Sequence, residues 1–462
     1  MTRDPLRTMP TPGVRPLPVL LWTRSLLLAT ALVGLTAGSL PAQQRGGMRW
    51  GVSGQPSGSH VGLGYAADAF MPARGGLSED PVALDNLDLL LHLNLDALLG
   101  LQGTSLQVHV QSNRGGSVSS RIGDLQGLSN IEAPTEWRLY EAWIEHGIVS
   151  PPLSILAGVY DINGEFDVIP AAGDFLNSSF GFGPEYSLSG RTGPSTYPTT
   201  GLGARIQARP TPSLYGLLAI SDGAPDRPKG ERFSLDHLEG GLLSFEAGYT
   251  RSLSDAAPAL ERGIQPERRG RGLARGTDRP RQRRQRGRIG RGRLIEEMST
   301  KVAVGAWAYT RRFEAWAPHD LRGRSWGLYA LGEQLLLRNR DGSGGLSGFA
   351  RVGTAADAVN QLGLFLGGGL TYRGLLSGRR DDVAGLGVAH TRNGDPYLRG
   401  RREAGLPTER GETVVELTYR AQLGRFFVVQ PDLQWVMNPG MAPGVADAIV
   451  FGLRGHIHLE LP

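Results

Sequence analysis

The chain of 462 residues contains no cysteine, which excludes a disulfide framework, thiolate-ligated metals and catalytic thiols. It also lacks any apolar run of the length, about 20 residues, that a helix needs to cross a bilayer. That absence, with a mean hydropathy of -0.21, argues against a helical membrane protein. Catalytic signatures are missing as well: no Walker-A pattern, no His-Glu-x-x-His and no Gly-x-Ser-x-Gly occurs. Gly201-Leu-Gly203 and Gly367-Gly-Gly369 lack strand–turn–helix surroundings and read as turn or strand glycines. No nucleophile–base constellation is visible, so an enzyme is not expected.

What is abundant points elsewhere. Glycine numbers 67, beside 13 Phe, 12 Tyr and 8 Trp, a mixture that suits many turns plus aromatic anchors at two membrane interfaces. From about Met48 onward, short segments alternate apolar and polar residues, as in 301–310, 412–422 and 446–455. A period of two gives one apolar and one polar face. Without a spanning helix, this predicts an all-β fold: a transmembrane antiparallel β-barrel with lipid outside and water inside.

Turn signals every 10 to 20 residues bound the expected strands. These are Leu89–Leu95, Ser105–Gln111, Glu136–Glu145, Leu153–Tyr160, Gly201–Arg209, Ser213–Ile220, Gly240–Tyr249 and Val302–Arg311. Ser325–Gln334, Gly345–Gly353, Leu362–Arg373, Val383–Thr391, Thr413–Leu423, Phe426–Val436 and Ile449–Leu459 follow. Fifteen candidates, in a class that closes with an even number, point to 16 strands. Gly424-Arg425 marks a tight hairpin.

Residues 1–42 read as a signal peptide. Arginines precede the short apolar run 25–36, and small residues offer cleavage near 39–42. Residues 43–462 then form a single barrel domain, interrupted at 255–293. There 13 arginines stand against Glu261, Glu267 and Asp278 over residues 261–293, a local balance of +10. With the leader at +3 and the whole chain at +5, the remaining body is about -8. Such a stretch cannot build a core and is expected to be a disordered loop inserted within the barrel. A solvated insertion is the simpler account; attachment to anionic surfaces is the functional one.

Asp161-Ile-Asn-Gly-Glu-Phe-Asp167 spaces oxygen ligands like the start of a calcium loop. Phe166 stands where glycine is needed and Ala172 where glutamate is needed, so a hydrogen-bonded turn with carboxylates toward a polar lumen is the better reading. His456 and His458 share one strand face and read as lumen-facing polar residues, and no metal is assigned. In Glu136–Glu145, Arg138 and Tyr140 fall on one face while Glu141, Trp143 and Glu145 fall on the other. That conflict leaves the pore-facing set open.

Several segments resemble the OprB-type family of carbohydrate-selective porins. They are 123–134, Arg138-Leu-Tyr-Glu-Ala-Trp143, 158–167, 175–181, 193–200 and Gln430-Pro-Asp-Leu-Gln-Trp-Val-Met-Asn-Pro-Gly440. The resemblance implies a 16-stranded barrel of the bacterial outer membrane that lets sugars diffuse passively. It makes Arg138, Tyr140, Glu141, Asp161, Asn163, Glu165 and Asp167 the candidates for pore or substrate contact. The implied partners are small sugars, outer-membrane lipid and lipopolysaccharide; a homo-oligomer stays open, and no cofactor or nucleic acid is expected. A general porin without sugar preference, or an adhesin using the basic loop, are the alternatives.

Overall fold

Sixteen antiparallel strands close on themselves in the computed structural model, which describes residues 58–148, 152–225, 240–252, 298–316, 323–340 and 344–461. They are β1 (His60–Gly76), β2 (Val82–Asn94), β3 (Thr104–Gly115), β4 (Glu136–Ile148), β5 (Leu153–Tyr160) and β6 (Gly201–Ala208). β7 (Leu214–Asp222), β8 (Gly241–Ser252), β9 (Met298–Phe313), β10 (Gly323–Arg338) and β11 (Gly345–Ala355) come next. β12 (Leu362–Arg373), β13 (Val383–Asn393), β14 (Gly411–Leu423), β15 (Phe427–Met437) and β16 (Ala446–Leu461) complete the wall. β16 returns to β1 with Leu461 opposite Val61, so no strand edge is left unpaired in lipid. Among the described residues no helix is long and apolar enough to cross a membrane.

Alternation does the sorting. In β10, Trp326 and Leu328 are exposed on the outside while Ser325, Tyr329, Leu331 and Glu333 are buried inside. Trp137, Trp326 and Trp435 stand outward at one rim, with Tyr249 and Phe427 near the other, as two interfacial girdles require. The sixteenth strand is β1, which the sequence pattern did not reveal. Its Gly62, Gly64, Ala66, Ala67, Ala69 and Pro72 carry weak strand propensity, and closure against β16 and β2 imposes the conformation instead. The hairpin between β14 and β15 turns through 424–426, with Gly424 at φ 74°.

The barrel ends differ. His60 and Leu461 lie at one end with short turns such as 209–213 and 424–426, whereas 116–135, 161–200 and 394–410 connect strands at the other. Short turns are periplasmic and longer loops extracellular in this architecture. The expected leader and the 255–293 loop lie outside the described residues. The strand ends that flank the latter, Ser252 and Met298, nevertheless belong to the short-turn end. An epitope inserted after Gly270 is therefore expected to be reached by antibody only once the outer membrane is permeabilised. Labelling of intact cells would reverse the assignment.

Two of the long loops fold inward, and they make the lumen unequal around its circumference. Phe166, Phe175, Phe180, Phe182 and Tyr186 of the 161–200 loop pack on Tyr215, Trp307, Tyr309, Tyr329, Phe349 and Phe365 of the wall. Tyr186 lies flat on Trp307, centroids 4.9 Å apart at 7°. That side of the lumen is thus an aromatic core rather than water, a correction to the simple picture of a wet interior. It also explains glycines that are not in turns. A Cβ at Gly305 would lie 2.0 Å from the Tyr329 ring, and one at Gly327 would lie 2.4 Å from Trp307. Opposite this core, the wall from β1 to β4 keeps its polar groups.

Candidate functional site

The register conflict in β4 is resolved by a bulge. His109 of β3 pairs with Glu141 and the next residue, Val110, pairs with Leu139, so Tyr140 is the extra residue. A bulge shifts the alternation by one, and Arg138, Tyr140, Glu141 and Glu145 all turn inward and become buried. Trp137, Leu139 and Ile144 remain exposed on the lipid side. Arg138 donates to the Pro134 carbonyl (2.9 Å) and the Pro198 carbonyl (3.0 Å), joining the ends of both inward loops. Tyr140 donates to Asp161 at 2.5 Å, and Glu141 accepts from the Gln107 amide at 2.9 Å and from the Asp161 backbone N–H at 3.3 Å.

The other four candidates belong to the 161–200 loop, and all but Asp161 part company with this group. Asp161 caps the turn at 162–164 by accepting from the Asn163 N–H at 2.9 Å. Asn163 donates to the Phe166 and Gly181 carbonyls and so closes the loop on itself. Glu165 is gripped bidentately by Arg205 (both contacts 2.7 Å) and also accepts from Tyr160. Burial pushes its carboxyl up, against the opposing pull of Arg205. Asp167 pairs with Arg351 at 3.0 Å and accepts from the Gly183 N–H. Asn163, Glu165 and Asp167 therefore hold the loop, while Arg138, Tyr140, Glu141 and Asp161 border the polar wall.

The wall grips the 161–200 loop largely by its backbone. Glu246 accepts from the N–H of Asp167, Glu333 from that of Ala171, and Glu416 from those of Leu176 and Asn177. Lys301 and Gln430 donate to the carbonyls of Val168 and Asp174. Four charged groups and one amide, spaced across five strands, thus fix a loop of little regular structure, each satisfying a backbone group that would otherwise be buried unpaired. Glu412 does the same for the 116–135 loop, accepting from the N–H groups of Leu125 and Gln126.

One buried carboxyl is unlike the rest. Glu185, 1% exposed, has neither oxygen hydrogen-bonded to another residue. Burial and the neighbouring Asp167 push it up to about 8, partly opposed by Arg351. A raised value means that the folded state favours the protonated form. Its stabilisation is complete below the ordinary carboxylate range and is lost as pH rises toward 8. Glu185→Gln, which cannot ionise, is expected to match the parent in guanidinium resistance at pH 4 and to exceed it at pH 8. Parallel pH profiles would contradict this.

The polar wall contains residues that sequence reasoning did not single out. On β3, Ser105, Gln107, His109, Gln111 and Asn113 alternate inward, each no more than 5% exposed, while Leu106, Val108 and Val110 face lipid. Asp88 of β2 accepts from Gln111 (2.8 Å) and Asn86 and bonds to His109 Nε2 (2.7 Å). Asn113 donates to the Ile131 carbonyl and to Tyr197. Even so, Asn86 Oδ1, Gln111 Oε1 and Asn113 Oδ1 are buried with no hydrogen-bond partner, and His109 Nδ1 lies 3.8 Å from Glu141. Three buried polar atoms without a protein partner thus lie on two neighbouring strands. Tyr140 stands edge-on to His109 (5.1 Å, 90°) and close to Tyr197 (6.0 Å), adding aromatic surface. Arg454 and Asp68 form a bidentate pair at the margin (2.6 and 2.7 Å), and Arg454 also reaches Asn130 of the 116–135 loop. The inward spacing of uncharged polar residues in 105–113 was the available signal; the pairings of Arg205, Arg351 and Arg454 had none, since each partner is distant in sequence.

Apolar residues outward, hydrogen-bonding groups along an inner wall, and loops folded into the lumen are the construction of a porin, a channel of the bacterial outer membrane. A family model described as carbohydrate-selective porin, OprB family, matches residues 78–459. The chain belongs to that family of carbohydrate-selective outer-membrane channels. Porin B of Pseudomonas aeruginosa is 23% identical over 422 residues, which span 85% of this chain and 86% of that protein. The high-pH structure of Pseudomonas putida OprB shares the fold, with a TM-score of 0.72 at 19% identity, covering 87% of this chain and 94% of that one.

Proposed function

We propose that sugars cross passively, without chemistry, along the wall formed by β2, β3 and β4, exchanging hydroxyl hydrogen bonds with Asp88, His109, Gln111 and Asn113. The observation that carries this reading is the set of buried, unpartnered polar atoms on β2 and β3. Hydroxyls both donate and accept, so a wall offering amide, imidazole and carboxylate groups can replace water around a sugar step by step. Arg138 and Glu141 flank the path, and the apolar face of a sugar ring fits against Tyr140 and Tyr197. A leader of about 42 residues would deliver the chain to the envelope. Attachment of the arginine-rich segment at the short-turn end argues against its use as a cell-surface adhesin or as a contact to lipopolysaccharide. Deletion of 261–293 is expected to leave sugar block unchanged in planar bilayers; loss of block on deletion would bring the segment into the pore. A channel indifferent to sugar would reduce the reading to a general porin.

A further inference from the structure

Below the wall just described, toward the short-turn end that holds His60 and Leu461, one cross-strand row is unlike its neighbours. His60 of β1 pairs with His92 of β2, His92 with Gln107 of β3, and Gln107 with Trp143 of β4. All four side chains are on the inner face. The His60 and His92 rings stack at 5.1 Å and 26°, and Trp143 meets His92 at 6.4 Å and 67°. The row continues through Gly158 of β5 and Gly203 of β6, and Trp143 packs against the edge of the aromatic core. His92 is 3% exposed, and its Nε2 is buried with no hydrogen-bond partner.

An aromatic platform backed by an amide and an unpartnered imidazole nitrogen has the make-up of a site for a pyranose ring. The ring's apolar face lies on the aromatics, and its hydroxyls find the polar atoms. A row made only to fill space would have no reason to leave a buried nitrogen unpaired. We propose that His60, His92, Gln107 and Trp143 form a second carbohydrate station, at the periplasmic end of the lumen, where a sugar pauses before release. This rests on the sugar-channel reading above and adds a position along the path.

The test is side-resolved sugar block. In a planar bilayer holding single, oriented, full-length channels, glucose is added to one chamber at a time. For His92→Ala, and for Trp143→Phe as a milder change, the blocking on-rate for glucose added at the short-turn end is expected to fall about fivefold. The on-rate from the loop end should stay within about twofold of the parent, and so should the conductance in salt. Equal loss from both sides, or no loss from either, would overturn the station. The thermal transition of each variant, followed in parallel, identifies a variant that fails to fold, and the other then decides. If glucose blocks the parent from neither side, the sugar-channel reading itself fails, and that outcome is distinct from the others.

Discussion

Arg351→Met is expected to give the largest loss of stability of any single lumen substitution. The guanidinium pairs with Asp167 (3.0 Å), donates to the Asp167 carbonyl, and reaches the carbonyls of Ser179 (3.1 Å) and Phe180 (3.3 Å). It ties both limbs of the loop's aromatic turn to the β11 wall. Removing it strands Asp167, 0% exposed, beside Glu185 and Glu246 without its counter-charge. Breaking a buried pair from one side costs about 3–5 kcal/mol. Guanidinium unfolding in lipid vesicles should show that loss, and single channels should become larger and noisier as the loop leaves the wall. Arg351→Met combined with Asp167→Asn should recover much of the stability, because no unpaired charge remains. Unchanged stability and conductance in the single variant would mean that the aromatic packing alone holds the loop.

Gln111→Leu is expected to have the largest effect on sugar handling with the least effect on the barrel. The substitution is close in volume and removes both the amide that donates to Asp88 (2.8 Å) and the unpartnered Oε1 in the lumen. Asp88 keeps His109 and Asn86, so the carboxylate is not abandoned. Loss of one hydrogen bond to a sugar, at about 1 kcal/mol, raises the glucose block constant by about fivefold. Conductance in salt should change by less than about twofold, since neither charge nor loop position alters. A change in conductance with unchanged block would place Gln111 outside the sugar path.

The sequence made the barrel legible because its signal is local. Strands β5 and β12 were delimited to the residue, Leu153–Tyr160 and Leu362–Arg373, where clear alternation ends at turn residues. β1 was invisible because Gly62, Gly64, Ala66 and Pro72 form a strand only when β2 and β16 supply the other half of the ladder. The site was legible in part. Arg138, Tyr140, Glu141 and Asp161 do meet at the polar wall, but their apparent conflict of faces needed the bulge at Tyr140, which no side-chain pattern announces. Asn163, Glu165 and Asp167 looked equally suited to a pore. Their partners Gly181, Arg205 and Arg351 lie 18, 40 and 184 residues away, and only tertiary structure shows that they fasten the loop.

Single-channel conductance of the refolded protein in a planar bilayer, titrated with glucose and maltooligosaccharides, tests the central claim most directly. Open channels whose current is blocked saturably by sugar are the predicted result. Open channels that pass ions with no response to any sugar would contradict it.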